Sequence, residues 1–164
     1  MNSKKLFIWG FLFMSVIGTL LHFVYEWSGN NSIVRLFAPW NESTWEHMKL
    51  LFFPMLVLVL FLFFKLPEQS PIPVALSIGT LVGLALIPIL FSTYTGVLGF
   101  SVMAIDIAIF YISVLGVFLT GWFLKDNRKL ANRNGLLLTC LVILAILFFI
   151  FSYYPPEIGL FQEP

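Results

Sequence analysis

The sequence from 39 to 49 reads PWNESTWEHMK, and an apolar run continues from it as far as Phe64. Within this stretch, the tetrapeptide STWE that starts at Ser43 matches a capping box. In that motif the serine and the glutamate satisfy free backbone amides at the start of a helix. A helix needs about 20 apolar residues to cross a membrane. The stretch therefore predicts a membrane-spanning helix over about 43–64.

The composition extends this interpretation to the whole chain. Of the 164 residues, 60% are hydrophobic and only 10% are charged, whereas a soluble domain carries about 25% charged residues. Too few polar side chains exist to cover a surface that faces water. The net charge of +1 gives no indication of nucleic-acid binding, and the single cysteine, Cys140, excludes an intramolecular disulfide.

Five segments are long and apolar enough to span a bilayer. They cover about 6–25, 43–64, 73–91, 98–124 and 135–154. We therefore predict an all-α polytopic membrane protein, a bundle of five transmembrane helices that forms one domain over residues 1–164. The predicted surroundings are a lipid bilayer, and the oligomeric state is left open.

The basic residues predict the orientation, because they concentrate in cytoplasmic loops. With the N-terminus inside, seven of the nine lysines and arginines lie on the cytoplasmic side: Lys4, Lys5, Lys65, Lys125, Arg128, Lys129 and Arg133. Only Arg35 and Lys49 fall outside. This distribution predicts N-in/C-out, with a short interfacial helix or hairpin in the outer connection over about 27–41.

A polar stripe runs along one face of the first span. Its members are spaced by three or four residues, which places them on one side of a helix: Ser15, Gly18, Thr19, His22 and Glu26. In lipid, such a stripe should face protein or a cavity.

The fourth span contains Asp106, the one acid deep in an apolar segment. The predicted boundary places it about eight residues below the outer end, roughly 12 Å at about 1.5 Å per residue. An unpaired carboxylate there costs at least about 2.5–3.5 kcal/mol. Asp106 is therefore expected to be protonated, paired or bound to a cation.

All strong candidates for chemistry lie on the predicted outer side, including both histidines. Histidine and carboxylate side chains suit Zn²⁺, which holds and activates water in catalytic sites. We predict four metal ligands: His22, Glu26, His47 and Asp106. We predict Glu46 and Asp106 as the catalytic acid–base residues, and Glu42, Ser15, Thr19 and Ser113 as the rest of a polar pocket. Glu46 and His47 lie about 100° apart around their helix, so they cannot point the same way.

The stretches LHFVYEWSG at 21–29 and PWNESTWEHMKLLFFP at 39–54 resemble a family of small bacterial integral membrane proteins of unknown function that carry an NESTWEHxK-like motif. The resemblance extends over most of the chain. It implies a multi-pass protein of the bacterial cytoplasmic membrane, and it supplies no activity.

Three function classes follow from these features. The first is a metal-dependent hydrolase that acts on a lipid-type substrate from the outer leaflet. The second is a small transporter or ion-coupling protein, with Asp106 and His22 as proton or cation sites. The third is a non-catalytic accessory or sensory protein, in which the outer loop binds a partner or small-molecule ligand and the polar groups only join helices.

Overall fold

The computed structural model describes residues 2–163, and that range contains helices and no strand. The five long helices are α1 (Ser3–Trp27), α2 (Thr44–Lys65), α3 (Ile72–Leu98), α4 (Met103–Leu124) and α5 (Asn134–Tyr153). Each is long and apolar enough to cross a membrane, α5 from Gly135 onward. The predicted all-α, five-span membrane protein is confirmed.

Within residues 2–163, three short 3-10 helices lie outside the spans, at Val34–Leu36, Arg128–Arg133 and Gly159–Phe161. The first belongs to the connection between α1 and α2. The interfacial segment predicted there is a single 3-10 turn, since Phe37 closes it with a hydrogen bond to the Val34 carbonyl.

Helix α2 begins where its capping signal predicts. The Ser43 hydroxyl accepts a hydrogen bond from the Glu46 amide at 3.4 Å, and Asn41 Oδ1 accepts one from the Ser43 amide at 3.1 Å. Among the five spans, α2 has the largest buried share and α5 the smallest. Helix α2 therefore lies at the centre of the bundle, and α5 presents most of its surface outward, as its aliphatic sequence predicts.

Helices α3 and α4 pack against each other through glycines. A Cβ on Gly79 would overlap the Val117 carbonyl oxygen, and one on Gly83 would lie 2.5 Å from Val117 Cγ2 and 3.0 Å from the Ser113 carbonyl oxygen. Small residues four apart let two backbones approach this closely. The GTLVG sequence at 79–83 therefore forms a close helix contact.

The boundary between the third and fourth spans differs from the prediction. Helix α3 continues to Leu98 and ends at Gly99, which has a φ of 79°, and α4 starts only at Met103. A glycine in the left-handed conformation is a common helix end. Gly99 therefore decides where α3 ends, and the polar run at 92–96, which predicted a connection, lies inside the helix. Asp106 consequently lies in the first turn of α4, and the predicted depth of about eight residues was wrong.

Candidate metal centre

Three side chains from three parts of the chain meet at one end of the bundle. His22 comes from the last third of α1, Glu42 from the residue before the α2 cap, and His47 from the first turn of α2. One ligand atom of each lies within 4.8 Å of the others. In tetrahedral zinc, with bonds of about 2.0–2.2 Å, neighbouring ligand atoms lie about 3.4 Å apart. The group therefore needs only a small contraction to hold an ion.

The His47 ring is oriented by a backbone group. Its Nδ1 lies 3.0 Å from the carbonyl oxygen of Ser43 and donates a hydrogen bond to it when Nδ1 carries a proton. This leaves Nε2 facing the Glu42 carboxylate at 3.3 Å. The His22 and His47 ring centroids are 5.3 Å apart. Metal-binding histidines usually donate their second nitrogen to a carbonyl or carboxylate in this way, which fixes the tautomer.

The Glu42 side chain is 66% exposed, yet its carboxylate is held by its neighbours. The hydrogen bond from His47 has the largest influence on the pKa of the Glu42 carboxyl and holds it below its usual range. Partial burial acts in the opposite direction, and the charges of the nearby imidazoles lower the pKa further. Glu42 therefore stays anionic at any pH at which a histidine can bind a metal.

A pocket of about 100 Å³ opens beside this group. Its walls come from α1 and from the loop that precedes α2: His22, Phe23, Tyr25, Glu26, Pro39, Trp40, Asn41 and Glu42. Glu26 follows His22 by one helical turn and shares the pocket, but the structure does not bring it into the three-residue group. A small molecule in this pocket would contact both the ligand atoms and aromatic rings.

Glu46, predicted as an acid–base residue, lies in a different and buried polar network. Its side chain is only 3% exposed, and its Oε2 accepts a hydrogen bond from Lys49 Nζ at 2.6 Å. Lys49 has no exposed surface and also donates to the Arg35 carbonyl oxygen at 2.9 Å and to Ser152 Oγ. Ser152 Oγ lies 3.2 Å from Glu46 Oε1. The carboxylate is thus engaged inside the protein.

Arg35 ties the loop before α2 to the same network. Its guanidinium donates to the Ser152 carbonyl oxygen at 2.6 Å and lies 3.7 Å from the centre of the Trp40 ring. The Trp40 amide in turn lies 3.4 Å from Glu46 Oε2, to which it donates. The network therefore holds the loop segment that forms one wall of the pocket. Sequence reasoning missed Arg35, Lys49 and Ser152 as members of any site.

Asp106 also has a partner outside the three-residue group. Its Oδ1 accepts a hydrogen bond from the Tyr94 hydroxyl, which itself accepts one from the Val102 amide at 3.1 Å. Asp106 is half-buried and near enough to His47 for its charge to act on that ring. The expectation that Asp106 is paired fits this contact, and its predicted role as a metal ligand stays a prediction.

Of the remaining polar residues of the predicted pocket, Thr19 lies where α1 contacts α4. The Thr19 hydroxyl lies 3.0 Å from the Tyr111 hydroxyl and donates to the Ser15 carbonyl at 2.7 Å. Ser113 is fully buried, and within residues 2–163 neither its Oγ nor that of Ser15 has a hydrogen-bond partner. These three residues do not line the pocket beside His22, and Glu42 is the one member of the predicted polar set that does.

Comparison with known proteins adds a family and no activity. The model of a family described as "Family of unknown function (DUF6512)" matches residues 1–164. No curated protein and no solved structure matches the chain.

Proposed function

We propose that the activity of this protein, which belongs to the family of unknown function DUF6512, depends on a divalent transition metal. The metal, Zn²⁺ above all, is bound by His22, Glu42 and His47. The observation that carries the proposal is the convergence of these three ligand atoms, each from a different segment, within 4.8 Å. Glu42 and His47 are only five positions apart, but His22 precedes them by 20 and 25 positions and meets them only because α1 packs beside the start of α2.

The donor set favours a catalytic over a purely structural zinc site. Two imidazole nitrogens and one carboxylate oxygen form a ligand set that catalytic zinc sites use, with the fourth position left to water. In the absence of metal, a proton on His47 Nε2 can bridge to Glu42 across the 3.3 Å separation. Zinc would take the place of that proton, with Ser43 still holding the other side of the ring.

The reaction that fits this arrangement is hydrolysis of an ester or amide bond in a lipid-type substrate. Zinc lowers the pKa of bound water to about 7 and makes it a nucleophile near neutral pH. Glu26 lines the same pocket and is exposed, so we assign it, in place of Glu46, as the group that accepts a proton from that water. Phe23 and Trp40 supply apolar walls next to the bilayer.

Replacing Glu26 with glutamine tests the function separately from metal binding. We expect Glu26→Gln to keep one zinc per chain and to hydrolyse lipid probes about 10²–10⁴-fold more slowly, the usual contribution of a general base. Zinc-dependent cleavage would be measured on fluorescent phosphatidylglycerol and on a fatty-acyl p-nitrophenyl ester. Glu157→Gln, in the exposed C-terminal tail, is the matched control. No zinc-dependent cleavage by the wild type, or equal rates in Glu26→Gln, would contradict the proposal.

We also place the protein in a bacterial cytoplasmic membrane, N-in/C-out, with the pocket on the outer side. The support is the concentration of seven of the nine basic residues at the opposite end. In a Cys140→Ser background, a membrane-impermeant maleimide applied to intact cells should label Glu163→Cys and spare Asn2→Cys. The reverse labelling pattern would contradict this orientation.

A further inference from the structure

The end of the bundle opposite the metal centre has a strong positive charge. It carries Lys4, Lys5, Lys65, Lys125, Arg128, Lys129 and Arg133 and two acids, Glu68 and Asp126. Basic side chains therefore outnumber acidic ones by five there. The positive-inside rule explains why these residues lie on one side of the membrane. It does not require that their side chains come together in a site. Their arrangement at one corner goes further than that rule.

At this corner the N-terminus of α1 meets the C-terminus of α4. The Phe7 ring packs edge-on against Trp122, with 5.4 Å between the centroids, and Lys125 Nζ lies 4.3 Å from the centre of a Trp122 ring. Lys4 and Lys5 are exposed and precede Phe7 by less than one helical turn. We call Lys4, Lys5 and Lys125 the basic corner.

We propose that the basic corner binds the headgroup of an anionic phospholipid. Asp126 pairs with Lys125, and even with that acid included the corner keeps two positive charges in excess. Clusters of lysine and arginine next to membrane helices attract acidic headgroups, and basic pockets between helices bind them specifically. Trp122 contributes an indole, a ring that favours the depth of the headgroups.

The apolar surface beside the corner fits the acyl chains of the same lipid. Trp9 on α1 is 70% exposed and Phe123 on α4 is 80% exposed, and both lie within two turns of the basic residues. The α1 N-terminus, where Asn2 Oδ1 caps the Lys4 amide, adds the positive end of a 25-residue helix, which favours a phosphate. This inference is independent of the proposed metal centre, which lies at the other end of the bundle.

Lipid binding to the full-length protein in detergent provides the test. Native mass spectrometry would count the lipid molecules that remain bound to each protein, with phosphatidylglycerol and phosphatidylcholine that have identical acyl chains. We expect a retained 1:1 complex with phosphatidylglycerol and none with phosphatidylcholine. In Lys4→Gln/Lys125→Gln the affinity for phosphatidylglycerol should fall about 30-fold. This factor follows from about 1 kcal/mol per lysine and about tenfold in affinity for each 1.4 kcal/mol.

The matched control removes two positive charges elsewhere at the same end. Lys129→Gln/Arg133→Gln lies in the Arg128–Arg133 helix, where both side chains are exposed, and it should bind phosphatidylglycerol within about twofold of the wild type, since those charges lie outside the corner. Equal weakening in both double variants would show diffuse attraction and overturn the site. Equal retention of the two lipids, or displacement by inorganic phosphate, would overturn the assignment to an anionic phospholipid.

Discussion

Replacing Lys49 with methionine should destabilise the protein by about 3–5 kcal/mol, because it removes one partner of a buried ion pair. Lys49 has no exposed surface, and its ammonium group binds the Glu46 carboxylate, the Arg35 carbonyl and the Ser152 hydroxyl. Methionine fills a similar volume but cannot donate a hydrogen bond. Glu46 would then remain as an uncompensated buried charge.

The free energy of unfolding in detergent, measured by chemical denaturation, gives the result directly. Lys65→Met is the matched control: it changes an exposed lysine at the other end of the same helix, and we expect a change within about 0.5 kcal/mol. Adding Glu46→Gln to Lys49→Met should restore part of the loss, because the unpaired charge disappears. A Lys49→Met protein as stable as the control variant would show that the buried network contributes little.

Replacing His47 with alanine should weaken zinc binding at least about 100-fold. Loss of a residue that merely supports a zinc ligand already reduces affinity about 10–100-fold, and His47 would be a ligand itself. His22→Ala should have a comparable effect, because each histidine provides one nitrogen of the same group. Affinity would be measured at one fixed pH by competition with a chromophoric chelator, because zinc competes with protons for the imidazole nitrogens.

Two controls separate this effect from general damage. Glu26→Gln removes a pocket residue outside the three-residue group and should retain zinc. His47→Ala should keep the helical content of the wild type, since His47 is not part of the buried network around Lys49. Unchanged zinc affinity in both histidine variants would contradict the assignment of ligands.

The number and type of the spans could be predicted from the sequence because each depends on local apolar length. Helix ends depend on finer signals. The STWE capping box placed the start of α2 correctly. The uncharged run at 92–96 looked like a connection, whereas Gly99 is the residue that ends α3. Asp106 was therefore placed too deep, and its partner Tyr94, one helix away, could not be identified from spacing.

Only part of the candidate site could be predicted. His22 and His47 were expected to lie on the same side of the membrane, and the structure brings their rings together. Glu42 was expected in the pocket but not as a ligand, because its position depends on how the loop folds back on α2. The helix contact that brings Ser152 to Lys49 spans 103 residues of sequence, which no local pattern reveals.

One signal for the buried network was present in the charges. Arg35 and Lys49 are the two basic residues that fall on the predicted outer side. Both prove to be held by internal partners: Lys49 by Glu46, and Arg35 by Trp40 and the Ser152 carbonyl. A basic residue that departs from the loop-charge rule is therefore worth testing for a buried partner before it is assigned to a surface.

X-ray absorption at the zinc edge of the purified, zinc-loaded protein tests the metal centre most directly. We predict one zinc per chain with two imidazole nitrogens at about 2.0–2.1 Å and carboxylate or water oxygens at about 2.0–2.2 Å. The multiple-scattering signal of the imidazoles should fall by half in His22→Ala. A protein that retains no zinc, or a spectrum without histidine scattering, would contradict the account.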